Sequence, residues 1–106
     1  MFYHCNSIKF INLSNFDTSN IEKMYGMFSN CKFLASVDLS NFDTSKVTDM
    51  HQLFYLCKNL EYINLLNFMK IKNPSTSSMF YGIKKNVVIC IDKNKAPSIY
   101  NLANNI

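Results

Sequence analysis

Arginine is absent from this 106-residue chain, and with it the guanidinium fork on which phosphate and base recognition leans. All eleven cations are lysines; with seven acids they give a net charge of +4. No stretch approaches the roughly 20 consecutive apolar residues of a membrane span. Met1-Phe2-Tyr3-His4-Cys5 has neither the charged start nor the long apolar run of a signal peptide, so the chain, if complete, is expected to stay where it is made. C-x-x-C pairs are lacking, and the two histidines, His4 and His51, occupy unrelated positions without a recurring acid on a shared expected face. These absences exclude the usual nucleophilic and metal-site constellations. The sequence predicts no catalytic residue, no metal and no cofactor, hence a non-enzyme. A calcium ladder through Asp17 and Asp43 is disfavoured as well, because each unit supplies too few carboxylates for the 6–8 oxygens calcium prefers.

What is present is repetition. Cys5, Cys31 and Cys57 are 26 residues apart, and the same step relates Phe2, Phe28, Phe54 and Phe80, then Leu13, Leu39, Leu65 and Ile91, then Phe16, Phe42 and Phe68. A fixed period of this size marks a solenoid, in which a unit buries its apolar face only against its neighbours. With 48% hydrophobic residues the chain has the means to build a core. At about four coils it stands near the minimum for such stacking, and marginal stability is expected.

Within a unit, period-2 alternation predicts a strand, with Val37 and Leu39 inward and Ser36, Asp38 and Ser40 outward. The matching strands are expected at Lys9 to Ser14, Glu61 to Leu66 and Val87 to Asp92, which together form a parallel ladder. Ser-Asn-Phe-Asp-Thr-Ser then recurs unchanged at 14–19 and 40–45, a turn sequence whose polar side chains bond their own backbone. An aromatic spine of Phe16, Phe42 and Phe68 is expected inside that corner, beside a ladder of Asn15, Asn41 and Asn67 that satisfies turn backbone.

The spacing of Ile21, Met24, Met27, Phe28 and Cys31, repeated by Val47, Met50, Leu53, Phe54 and Cys57, predicts two amphipathic helices. Ser19 with Glu22 fits a capping box for the first, and Ser45 or Thr48 suits the second. The methionines at these positions read as core filler, not as a cofactor stripe. The column cysteines read as buried thiols, since stacked equivalents point in parallel and do not aim at one another.

The third unit departs from this plan. Asn73, Pro74 and Thr76 delay its helix and loosen the corner from Lys70 to Ser78, while Ile83 takes the cysteine column. After the fourth strand the repeat stops, and Pro97 followed by Ile99, Leu102, Ala103 and Ile106 predicts a short capping helix over 96–106. The organisation expected is an α/β repeat solenoid over 1–92 with its first coil incomplete, strands on one side and short helices on the other, closed by a capping segment at 93–106. The missing start of the first coil is expected to leave an apolar edge open to self-association, and it fits either a fragment of a longer array or a shortened reading frame.

Charge is uneven along the chain. Residues 1–69 hold five lysines and six acids, net −1, whereas 70–106 hold six lysines and Asp92, net +5. A basic last third would suit an anionic surface, but the preferred reading is that these lysines merely solubilise the last coils, since the Arg forks of phosphate and base recognition are absent.

The string Leu39-Ser40-Asn41-Phe42-Asp43-Thr44-Ser45-Lys46-Val47-Thr48-Asp49-Met50, with Leu53, Phe54, Tyr55 and Cys57 after it, resembles the repeat of bacterial BspA-type leucine-rich-repeat surface proteins. The likeness covers residues 1–92 and is closest over 13–65; the eroded third unit departs from it. Wealth in Asn, Lys and Ile is consistent with an AT-rich bacterial genome. The resemblance implies a leucine-rich-repeat-like fold and a secreted or surface-anchored adhesion protein that binds host matrix or cell-surface proteins.

The residues themselves point to the outward strand face as the binding surface: Phe10 and Asn12, then Ser36 and Asp38, then Tyr62, Asn64 and Leu66. Aromatic side chains on a rigid sheet are what protein-binding hot spots use. The alternative is a structural role, in which these coils are only the end and cap of a longer array with no ligand of their own.

Overall fold

In the computed structural model, which describes residues 9–13, 15–69 and 75–106, alternation produces strands where it was expected. They are β1 (Phe10–Ile11), β2 (Ser36–Asp38), β3 (Tyr62–Leu65) and β4 (Val88–Ile91). All four join one parallel sheet in the order β1-β2-β3-β4. Phe10 pairs with Ser36, Ser36 with Tyr62 and Tyr62 with Val88, so the sequence period is the physical step from strand to strand. The β-branched residues Ile11, Val37, Ile63 and Ile89 share one inward row of that register, and Val37 and Ile63 are buried.

The strands are shorter than the alternation predicts, and their ends have a local cause. Asp38 Oδ1 accepts the Ser40 N–H at 2.9 Å, Asn64 Oδ1 that of Leu66 at 3.0 Å, and Asp92 Oδ1 that of Asn94 at 2.8 Å. Each bond curls the chain into an Asx turn and withdraws a donor from the ladder. Ser14 and the corner at 70–74 lie outside the described residues, as do Phe2, His4 and Cys5.

The inward columns meet as the period requires. Leu13, Leu39 and Leu65 are all buried, and the rings of Phe28, Phe54 and Phe80 stack in sequence, with centroids 5.7 and 5.9 Å apart and planes tilted by only 7° and 11°. Phe42 and Phe68 are buried in the corner, but Phe16 is 40% exposed and does not complete an enclosed spine.

The two helices expected over the Ile21 to Cys31 and Val47 to Cys57 segments are not formed. Instead both segments are runs of tight turns, and residues 23, 49 and 75 make parallel bridges. The reason is the destination of the backbone N–H groups. Met24, Gly26, Phe28 and Asn30 donate to the carbonyls of Asp49, His51, Leu53 and Tyr55 in the next unit, at 2.7–3.0 Å, and not to carbonyls one helical turn back. Between those bonds Met27, Ser29 and Cys31 close three-residue turns onto Met24, Gly26 and Phe28.

Two columns of left-handed residues make this path possible: Gly26, Gln52 and Ser78 (φ 59°, 56° and 55°), and Asn30, Leu56 and Gly82 (φ 60°, 57° and 81°). A left-handed residue every four positions ends any helix before it starts. Without a helix to cap, Ser19 bonds Asp17, with its hydroxyl at 2.7 Å and its N–H at 3.1 Å from Oδ1, and the Ser45 N–H donates to Asp43. Thr48 donates its N–H to the Glu22 carbonyl one unit away.

Side chains stitch the units together as well. The Asn41 amide donates to the Leu13 carbonyl at 2.9 Å and the Asn67 amide to that of Ser40, so two of the three expected asparagines satisfy backbone of the preceding unit, from exposed and not buried positions. Buried Thr18 and Thr44 accept the N–H groups of Asp43 and Met69 at 2.8 and 3.0 Å. Cys31 and Cys57 are buried, reduced thiols as expected, and Cys57 donates to the Phe28 carbonyl at 2.8 Å. A hydrogen bond with Cys31, reinforced by burial, pushes the Cys57 thiol far above its usual range, so it stays protonated and inert.

Past β4 the expected capping helix forms as α1 (Pro97–Asn104), with proline in its first turn. Ile99 is buried, and Ala103 and Ile106 pack against the core. Leu102, expected inward, is instead 37% exposed.

Candidate functional site

The outward strand side chains fall into two rows because the register is exact in steps of 26. One row is Phe10, Ser36, Tyr62 and Val88; the next is Asp38, Asn64 and Cys90, with Asn12 following Ile11 at its head. The structure thus brings five of the seven expected residues onto one strand face. Asn12 follows the end of β1, and Leu66 lies past the end of β3, in the Asx turn, and is exposed there.

The outer row is apolar at its ends, with Phe10 71% and Val88 56% exposed, and Tyr62 stands half-buried between them. A hydrogen bond with Cys90, partial desolvation and the nearby Asp38 carboxylate push the Tyr62 hydroxyl above its ordinary value, so it remains a donor at neutral pH. The inner row is less available. Asp38 and Asn64 each commit an oxygen to the turn that follows their strand, which gives them a structural task whatever else they touch. Asn12, Asp38, Ser40 and Asn41 border a shallow cavity of about 150 Å³ where the strands run into the corner.

The sequence model of a family described as Mycoplasma protein of unknown function, DUF285, matches residues 1–97. The chain belongs to the DUF285 family. Comparisons with curated proteins and with solved structures gave no match for it.

A second constellation in the DUF285 chain was not foreseen from its sequence. On the turn side, the His51 ring donates from Nδ1 to Asp49 Oδ1 at 2.5 Å, and the His51 N–H donates to the same oxygen at 3.1 Å. Tyr25, one unit earlier in the same column, stacks on the imidazole with centroids 4.2 Å apart. Partial burial by itself raises the Asp49 carboxyl, but the two His51 hydrogen bonds and the charges of His51 and Lys23 outweigh it, and the net shift is downward.

The signal for this cluster was the Asp-x-His spacing, which closes an Asx turn in a non-helical segment; on a helix those residues face apart. Nearby, Tyr55 and Tyr81 stack at 5.3 Å. Among the described residues of the DUF285 chain, no three His, Cys, Asp or Glu side chains converge on a common point, and no helix is long and apolar enough to cross a membrane.

Proposed function

We propose that this DUF285 chain is a short leucine-rich-repeat-like solenoid of the BspA type, a non-enzymatic module that binds another protein through its strand face. The observation that carries this reading is the four-strand parallel sheet in 26-residue register, with Phe10, Tyr62 and Val88 on one outward row. Rigid strands hold these side chains in place before contact, so little conformational entropy is lost on binding. Apolar and aromatic anchors supply the burial that drives association. The resemblance of residues 13–65 to BspA-type repeats points to a secreted or surface-bound setting, with host matrix or cell-surface proteins as partners.

A structural reading is favoured by different observations. The amide and threonine ladders tie each unit to the next, and α1 covers the last unit as the cap of an array does. In that reading the chain stiffens and closes a longer assembly and holds no ligand.

Surface plasmon resonance against a panel of purified matrix proteins separates the two. Phe10→Ala with Tyr62→Ala is expected to weaken binding at least about tenfold, as loss of two anchors of 1–2 kcal/mol does, with an unchanged circular dichroism spectrum. Unaltered binding by the double variant removes the strand face from consideration.

A further inference from the structure

Separately from its uneven distribution along the chain, charge differs between the two ends of the strands. Backbone ladders bracket residues 32, 58 and 84. On one side Asn30 donates to Tyr55 and Leu56 to Tyr81; on the other Glu61 donates to Ala35 and Val88 to Glu61. The Asn59 amide also donates to the Lys32 carbonyl, at 2.6 Å. Lys32, Lys58 and Lys84 therefore stand in one column at the start of the strands, about 4.8 Å from unit to unit as stacked strands require. Lys9 and Lys85 flank them.

The acid at this end is Glu61, which lies 3.5 Å from Lys84 in an exposed pair. Among the described residues Lys32 and Lys58 have no ion-pair or hydrogen-bond partner for their ammonium groups. Asp38 closes β2 and Asp92 follows β4 at the strands' other end, with Asp17 and Asp43 in the turns beyond, and the lysines there are tied differently: Lys46 bonds Asn20 at 3.1 Å and Lys95 bonds Asn67 at 3.5 Å. Lys32 and Lys58, one unit apart and without partners among the described residues, repel one another and the Lys84 next in the column, which shares only the exposed Glu61, and an anion lying along the column relieves them together.

We propose that the Lys32-Lys58-Lys84 column is a docking row for a linear acidic polysaccharide. Three features select that partner among polyanions. Lysines are hydrated point charges without the planar fork that reads phosphates bidentately, and they suit charges scattered along a flexible sugar chain. Their step of about 4.8 Å is coarser than the charge density of duplex DNA, one per about 1.7 Å of axis. Phe33, exposed and next to Lys32 in the chain, offers a flat apolar platform that a sugar face can cover and that the paired bases of a duplex cannot, and the single-stranded DNA arm of the test separates a stacked base from a sugar.

The test uses the full chain with heparin as the sulfated-polysaccharide probe, alongside neutral dextran, duplex DNA and single-stranded DNA, in about 0.15 M salt. Heparin is expected to bind and the other three to bind at least about tenfold more weakly. Lys32→Gln with Lys58→Gln is expected to weaken heparin binding about tenfold and to lower its salt dependence by about two charges, while Lys93→Gln with Lys95→Gln, at the other end, changes it less than about twofold. The single variant Lys32→Gln, with thermal unfolding as a check of folding, gives about a threefold loss by the same reasoning. Equal losses from the two lysine pairs, tighter binding to either DNA, or no heparin binding by the folded chain each overturns the proposal.

Discussion

The two sides of each 26-residue unit obey the same packing rule and reach it by different backbones. On the strand side, alternation of inward and outward residues leads directly to β structure, and the inward Val37 and Ile63 are buried. On the turn side, apolar residues at helical intervals are also buried, Met24, Met27, Phe28 and Cys31 among them, yet no helix forms. Hydrophobic spacing therefore fixes which side chains face the core, and it leaves open where the N–H groups between them go. When a neighbouring unit presents carbonyls in register, bonds to it replace bonds within the segment.

The largest test of this contrast opposes an inward ring to an outward one. Phe54→Ala, at the centre of the three-ring stack, is expected to cost about 3–5 kcal/mol in urea unfolding, whereas Tyr62→Ala on the strand face costs about 1 kcal/mol. Similar costs for the two would mean that the turn side is not part of the core.

A test of sign comes next. Glycine to alanine in a helix interior normally stabilises by roughly 0.5–1 kcal/mol. Here Gly82 has φ 81°, and an added Cβ would lie 2.7 Å from Leu56 Cδ2, so Gly82→Ala is expected to destabilise by about 1–3 kcal/mol. Ser78→Gly, at φ 55° on the exposed turn side, should conversely stabilise by up to about 1 kcal/mol, because the left-handed penalty disappears. Thermal melts of the two variants read both signs, and reversal of either would restore a helix to this side.

The smallest effect concerns the Asp49–His51 pair on the turn side. Because the folded Asp49 carboxyl lies below its ordinary value of 3.8, its contribution to stability is full at neutral pH and is lost as pH falls through the acid range below 3.8. Urea midpoints at pH 7 and near pH 3 should therefore draw apart less in Asp49→Asn than in the parent. A pH dependence untouched by the substitution would show that this carboxyl is not linked to folding.

Much of the fold was legible in residue columns. The step of Leu13, Leu39 and Leu65 gave the strand register, and Pro97 with Ile99 marked the terminal helix. The turn side misled because Ile21, Met24, Phe28 and Cys31 match a helical stripe as well as they match a chain of tight turns. Gly26, Asn30 and Gly82 carried the missing signal, since they stand in the two left-handed columns; Gln52, Leu56 and Ser78, which share those columns, concealed it. Of the candidate surface, the outward residues from Phe10 to Asn64 were readable from alternation, but the withdrawal of Asp38 and Asn64 into turns was not.

By itself the sequence determined the interval between equivalent positions and the side chains that face inward, because apolar burial depends on spacing along the chain. Tertiary structure alone decided that the middle of each unit is a series of turns, that His51 meets Asp49 and Tyr25, and that three lysines line up away from most of the acids. Those outcomes depend on which groups a neighbouring unit brings within hydrogen-bond or Coulomb range, and that choice is made only once the units stack.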